Sequence, residues 1–183
     1  ARRQRLMCIS DWDMGVRAQA TGSLLLTLLF WGPVLRPESP VADAAMRGDI
    51  HEVEMLLEQG GDVNLAQGDG MTALHWAGET GSAEMAKMLI YAGANVDALT
   101  RLGDFTPLLI AAQSGNGPVV QVLIGSGADI TARSNVGGAT ALLYASEAGN
   151  SVAIKALLYS GSDPILRQTA LGQTPLMFDS SKN

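Results

Sequence analysis

The chain has 183 residues, of which 47% are hydrophobic, so it is long and apolar enough to bury a substantial core. Its net charge of −6 is unevenly divided, because residues 1–37 are basic while the remainder of the chain is acidic. An acidic remainder argues against nucleic-acid binding, which needs basic surfaces, and the single cysteine excludes an intrachain disulfide.

The N-terminal segment, residues 1–37, differs in kind from the rest of the chain. An apolar run at residues 24–35 comes after a basic start, which is typical of a secretory signal peptide. The run is weakened by Gly32 and Pro33 and is shorter than the about 20 residues that a membrane-spanning helix needs. We therefore predict a bacterial protein that is exported to the periplasm or secreted. There are two alternatives. One is an uncleaved membrane anchor, and the other is a cytoplasmic protein in which the run caps the first repeat.

From Ser39 onward one short motif recurs at a fixed spacing. T-A-L-H-W-A begins at Thr72 and returns as T-P-L-L-I-A, T-A-L-L-Y-A and T-P-L-M-F-D, 34 residues later each time. A degenerate copy opens at Ser39, 33 residues before Thr72. Self-similarity at this period is typical of stacked-repeat architectures. It predicts repeat units at residues 39–71, 72–105, 106–139 and 140–173, with a truncated fifth at 174–183.

Two glycines divide each unit into two helices. The first glycine comes nine residues after the opening Ser or Thr, and the second comes twelve residues later. The Ser or Thr can cap the first helix, and three units place proline directly after it. Paired aliphatic residues form a buried stripe on the second helix, and the polar Asp/Asn stretch after that helix predicts a projecting hairpin. One such unit cannot bury its apolar face alone, so stability must come from packing between neighbours.

The combined pattern of T-P-L-x-x-A, glycine, L-L and G-A-D-V-N resembles the ankyrin repeat family over residues 38–183. The resemblance implies a mainly α solenoid of stacked helix–turn–helix units with projecting β-hairpin loops. Two departures from the family pattern are present. The hairpins before Thr106, Thr140 and Thr174 each carry one residue more than the 33-residue norm, and the motif histidine survives only as His75. In the family this histidine ties the helix start to the neighbouring hairpin, so we expect a structural role for it.

No arrangement of reactive side chains predicts catalysis. The two histidines, His51 and His75, fall in different units, and one cysteine cannot build a zinc site. The recurring aspartates, such as Asp62 and Asp129, are explained by turn formation, and no phosphate-binding glycine loop is present in the sequence. We predict a protein that is not an enzyme and that carries no metal and no cofactor.

A row of side chains is the main candidate for function. Trp76, Ile110, Tyr144 and Phe178 occupy the same position of successive first helices, so stacking aligns them. They form either an apolar ladder in a concave groove or packing between the helices. Three arginines on hairpin tips form either a basic strip or scattered solubilising charge. By resemblance to where the family places its contacts, the candidate partner-binding residues are Trp76, Glu79, Thr80, Ile110, Gln113, Ser114, Tyr144, Glu147 and Ala148 in the groove, with Met71, Arg101, Phe105, Arg133, Ala139, Arg167 and Gln173 on the hairpin tips.

The resemblance implies protein–protein recognition by a monomeric scaffold, with a partner that the sequence does not identify. Rigid presentation of the groove would limit the entropy lost on binding. Two other classes of function stay open. One is a regulatory or targeting repeat region of a larger enzyme, and the other is a structural module tethered to a membrane through residues 24–35.

Overall fold

The computed structural model describes residues 39–165 and 174–175. Within these ranges the chain forms eight α-helices, arranged as four consecutive pairs, and the predicted mainly α repeat solenoid is confirmed. The leader at residues 1–37, with its apolar run at 24–35, and most of the partial fifth unit lie outside the described residues. The helices are α1 (Pro40–Arg47), α2 (Ile50–Glu58), α3 (Ala73–Thr80), α4 (Ala83–Tyr91), α5 (Pro107–Gln113), α6 (Gly117–Gly125), α7 (Ala141–Ala148) and α8 (Ser151–Tyr159).

The first helix of each pair begins and ends where the motif predicts. The hydroxyl of Thr106 accepts a hydrogen bond from the Leu109 amide at 3.2 Å, and that of Thr140 accepts one from the Leu143 amide at 3.4 Å. The glycine after each first helix adopts the left-handed conformation, in which a side chain would be strained. The φ angles are 74° at Gly48, 77° at Gly81, 71° at Gly115 and 68° at Gly149.

Helices of adjacent units pack side by side. The first helices α1, α3, α5 and α7 contact one another in sequence, and the second helices α4, α6 and α8 do the same behind them. Small residues bring the first helices close together: a Cβ on Gly78 would lie 3.0 Å from the carbonyl oxygen of Pro107. On the second helices Leu89, Leu123 and Leu157 are fully buried. The core is therefore a continuous layer between the two rows of helices.

Polar side chains also join neighbouring units. Asn116 directly precedes α6 and donates through Nδ2 to the carbonyls of Gly78 at 2.7 Å and Glu79 at 3.0 Å, at the end of α3. These carbonyls have no partner within their own helix, so Asn116 satisfies them. Farther out, the carboxylate of Asp97 accepts a hydrogen bond from the Asp129 amide of the next unit at 2.9 Å.

The predicted hairpins are present as tight loops. The amide of Gln67 donates to the Met71 carbonyl at 2.8 Å, whereas that of Thr100 donates to the Phe105 carbonyl at 3.0 Å across a loop one residue longer. In that longer hairpin Asp104 has a φ of 50°. Among the described residues, extended pairing is limited to one isolated antiparallel bridge, because the hairpin arms are too short to form strands.

None of the helices that the structure describes has the length and apolar character needed to cross a membrane.

Candidate binding groove

A concavity of about 340 Å³ lies between the second and third units, where α3 and α5 meet the hairpins in front of them. Its wall includes six of the residues predicted from the sequence: Met71, Trp76, Glu79, Phe105, Ile110 and Gln113. It also includes three that sequence reasoning missed, namely Asp69, Thr100 and Leu102. All three lie on the hairpins that precede Thr72 and Thr106, and their place shortly before the motif is the signal that could have found them.

Trp76 occupies the floor of this concavity and is half-buried. Its indole Nε1–H donates to the Gln67 side-chain oxygen at 2.9 Å, and the Gln67 amide nitrogen in turn donates to the carboxylate of Asp43 on α1. Two hydrogen bonds in series therefore fix the plane of the indole before any ligand arrives. A large aromatic side chain held in this way is typical of a binding hot spot.

Ile110 and Tyr144 continue the row that Trp76 begins, but they are buried, with only 6% and 9% of their surfaces exposed. The Tyr144 hydroxyl lies 3.1 Å from Ser134 Oγ. The centroid of the Tyr144 ring lies 5.9 Å from that of the Phe105 ring. The packing interpretation therefore describes these two residues better than the exposed ladder. For Tyr144 both of these contacts are with hairpin residues. Phe178 lies outside the described residues.

The exposed edge of the groove is polar and acidic. Glu79, Thr80, Gln113, Ser114 and Glu147 are all at least partly exposed. The Ser114 hydroxyl donates to the Glu79 carboxylate at 3.1 Å across the boundary between units, and the Thr80 hydroxyl donates back to the Trp76 carbonyl at 2.8 Å. Lysine and arginine are absent from α3, α5 and α7.

The predicted arginines do not gather in this concavity. Arg101 donates from Nη1 to the Gly68 carbonyl at 3.0 Å, and Arg133 donates to the Gly138 carbonyl at 3.3 Å in its own hairpin. Arg133 lines a second concavity of about 330 Å³ beside Asp163. Arg167 and Gln173 lie outside the described residues. The basic strip remains a prediction. No arginine lines the concavity between units two and three.

His75 is fully buried behind the groove and has the structural role expected of it. Its Nδ1 accepts from the Thr72 amide at 3.1 Å, which leaves the proton on Nε2 to be donated to the carbonyls of Ala98 at 3.1 Å and Phe105 at 3.0 Å. Burial lowers the pKa of His75, although the two carbonyls oppose the shift. The neutral imidazole thus holds the backbone of Phe105, whose ring forms part of the wall.

The residues that the structure describes contain no group of three or more His, Cys, Asp or Glu placed to hold a metal ion. The groove offers a fixed aromatic surface, an apolar wall and carboxylates at its edge. This arrangement suits non-covalent recognition.

Comparison with known proteins agrees with the repeat architecture. The family model described as ankyrin repeats, in three copies, matches residues 21–100, 41–134 and 108–182. Cortactin-binding protein 2 of Rattus norvegicus is 36% identical over 105 residues, which is 50% of this chain and 6% of that protein. Ankyrin repeat domain-containing protein 40 of Mus musculus is 40% identical over 63 residues, which is 34% of this chain and 17% of that protein. The chain therefore spans only a small part of the length of these relatives.

Proposed function

We propose that this chain, which belongs to the ankyrin repeat family, is a non-catalytic module that binds another protein through the groove of α3, α5 and α7 and the neighbouring hairpin tips. The observation that carries the proposal is the concavity between units two and three, with Trp76 fixed on its floor. An apolar centre inside a polar rim is the usual anatomy of a protein interface.

The rigidity of the groove supports this function. Its floor consists of helix residues, and its hairpin wall is held from behind by His75. Little ordering of the protein is then needed on binding, so less free energy is lost to conformational entropy. We propose that the chain acts as a monomer that presents this surface. The name of the similar rat protein describes a binding protein, which supports the class of function but does not identify a partner here.

Short random peptides displayed on phage and selected against the full chain test the proposal. We expect the substitution Trp76→Ala to weaken the selected peptides by about tenfold or more, because a fixed aromatic anchor is lost. The variant Gln113→Arg, which places a bulky side chain on an exposed position of the same concavity, should weaken them without disturbing the core.

The control is Tyr91→Ala, at a tyrosine that is 96% exposed at the end of the second helix α4. It should leave peptide affinity unchanged, and circular dichroism should show the same helix content in every variant. Equal loss of binding in the control, or full binding by the Gln113 variant, would place the interaction elsewhere on the molecule.

Export remains a separate proposal, supported only by the basic start and the apolar run at residues 24–35. The similar rat and mouse proteins are mammalian and give no support to a bacterial source. N-terminal sequencing of the mature protein tests the proposal. A start between residues 33 and 40 would indicate a cleaved signal, and an intact N-terminus in a membrane fraction would indicate an anchor.

A further inference from the structure

We propose that the concavity between units two and three receives a basic side chain of the partner, an arginine or lysine that adjoins an apolar residue. The inference rests on the proposed function and specifies the chemistry of the segment that binds. Three observations support it. The rim is negatively charged, its carboxylates can accept further hydrogen bonds, and the floor is apolar.

The lining of the concavity carries negative charge. Of the nine residues that line the concavity, Asp69 and Glu79 are acidic and none is basic. The lysines of the described region, Lys87 and Lys155, lie on the second helices α4 and α8, and Arg47 is paired with Glu52 on α2. Residues 38–183 as a whole are acidic, so the long-range field also attracts a cationic segment.

Both rim carboxylates can accept further hydrogen bonds. Glu79 accepts from the Ser114 hydroxyl through Oε2, and Asp69 accepts from the Met71 amide at 2.9 Å through Oδ1. Among the described residues neither carboxylate forms an ion pair. Arg101 is the neighbouring cation, but its guanidinium donates to the Gly68 carbonyl. One oxygen of each carboxylate therefore remains available to a guanidinium or ammonium group.

The floor suits the stem of such a side chain. Lysine and arginine can lay their methylene groups along an apolar surface while the charged end reaches polar groups. Here the half-buried rings of Trp76 and Phe105 supply that surface, and a guanidinium also stacks favourably on an indole. At the mouth, Leu102 is 78% exposed and is placed to contact an apolar neighbour in the partner sequence.

The peptides selected against the full chain test this inference directly. We expect enriched sequences to share an arginine or lysine next to an aliphatic or aromatic residue. Replacing that basic residue by glutamine in a synthetic peptide should lower the affinity by about fivefold, and added salt should weaken the parent peptide, since the contact is near the surface.

A pair of charge reversals separates the local contact from the general field. Glu79→Lys should weaken the parent peptide by about tenfold, because it removes an attraction and adds a repulsion. The matched control is Glu84→Lys, an exposed position on the second helix α4 with the same change in net charge. It should change the affinity by less than about twofold.

The possible results distinguish this inference from the proposed function. Peptides that depend on Trp76 and Gln113 but contain no basic residue, or that tolerate Glu79→Lys, would refute the basic side chain and leave groove binding intact. Equal loss in the two charge reversals would also refute it, because net charge alone would then explain the binding. If no peptide is enriched, or if none depends on the groove, both proposals fail.

Discussion

Replacement of His75 by leucine tests how the repeats are held together. Leucine is the residue that units three and four carry at the same position, as Leu109 and Leu143, both of them buried. In unit two, however, the imidazole forms hydrogen bonds with the Thr72 amide and with the carbonyls of Ala98 and Phe105. The substitution removes all of these hydrogen bonds while it keeps the position apolar and filled.

The expected loss of stability can be worked out from these contacts. Each backbone group that loses a hydrogen bond costs about 1 kcal/mol, so three groups cost about 3 kcal/mol. Burial of the more apolar leucine side chain offsets about 1 kcal/mol of this loss in the free energy of unfolding. We therefore expect His75→Leu to lower the free energy of unfolding by about 2 kcal/mol.

Urea unfolding monitored by circular dichroism measures this difference. The control is His51→Leu at the other histidine, whose side chain is 90% exposed and which should change the stability by less than about 0.5 kcal/mol. If His75→Leu is as stable as the parent, the hydrogen bonds to the hairpin contribute nothing and the structural role assigned to His75 is wrong.

The same variant has a distinct dependence on pH. Because burial lowers the pKa of His75 below 6.5, the unfolded chain takes up a proton at a higher pH than the folded chain does. The stabilising contribution of the neutral imidazole is therefore complete above about pH 6.5 and is lost as the pH falls, by up to about 1.4 kcal/mol per pH unit. His75→Leu should be less sensitive to pH between about 7 and 5 than the parent or His51→Leu. Parallel curves would contradict the assignment.

Three smaller perturbations test other contacts. Asp104→Gly should stabilise the protein by about 0.5 kcal/mol in urea unfolding, because it relieves a positive φ, whereas Gly138→Asp at the equivalent position of the next unit should destabilise it. Gln67→Leu should free the indole of Trp76, which NMR would detect as a shifted and faster-exchanging indole N–H signal; an unchanged signal would contradict the proposed orientation. Asn116→Ala should cost about 1.5 kcal/mol in the same unfolding assay, since two helix-end carbonyls lose their donor.

The periodic features of the fold were predictable from the sequence, but side-chain exposure in the groove was not. The glycines at positions such as Gly81 located the helix ends, and the spacing before Thr106 located the longer hairpin. Periodicity places Trp76 and Tyr144 on the same face, yet it cannot separate the half-buried residue from the buried one. That difference depends on contacts across units, such as the one between Tyr144 and Phe105.

Nearest-neighbour packing has a mechanical consequence. The main helix contacts join each unit to the next one, so a pulling force applied to the two ends of the repeats would not meet a single shared core. We expect extension in discrete steps, each releasing one 34-residue unit, or about 110 Å of extended chain. The unit anchored through His75 should yield at a higher force than the leucine-bearing units. Unit two, which contains His75, would then resist force most strongly, and the same unit carries Trp76 of the groove.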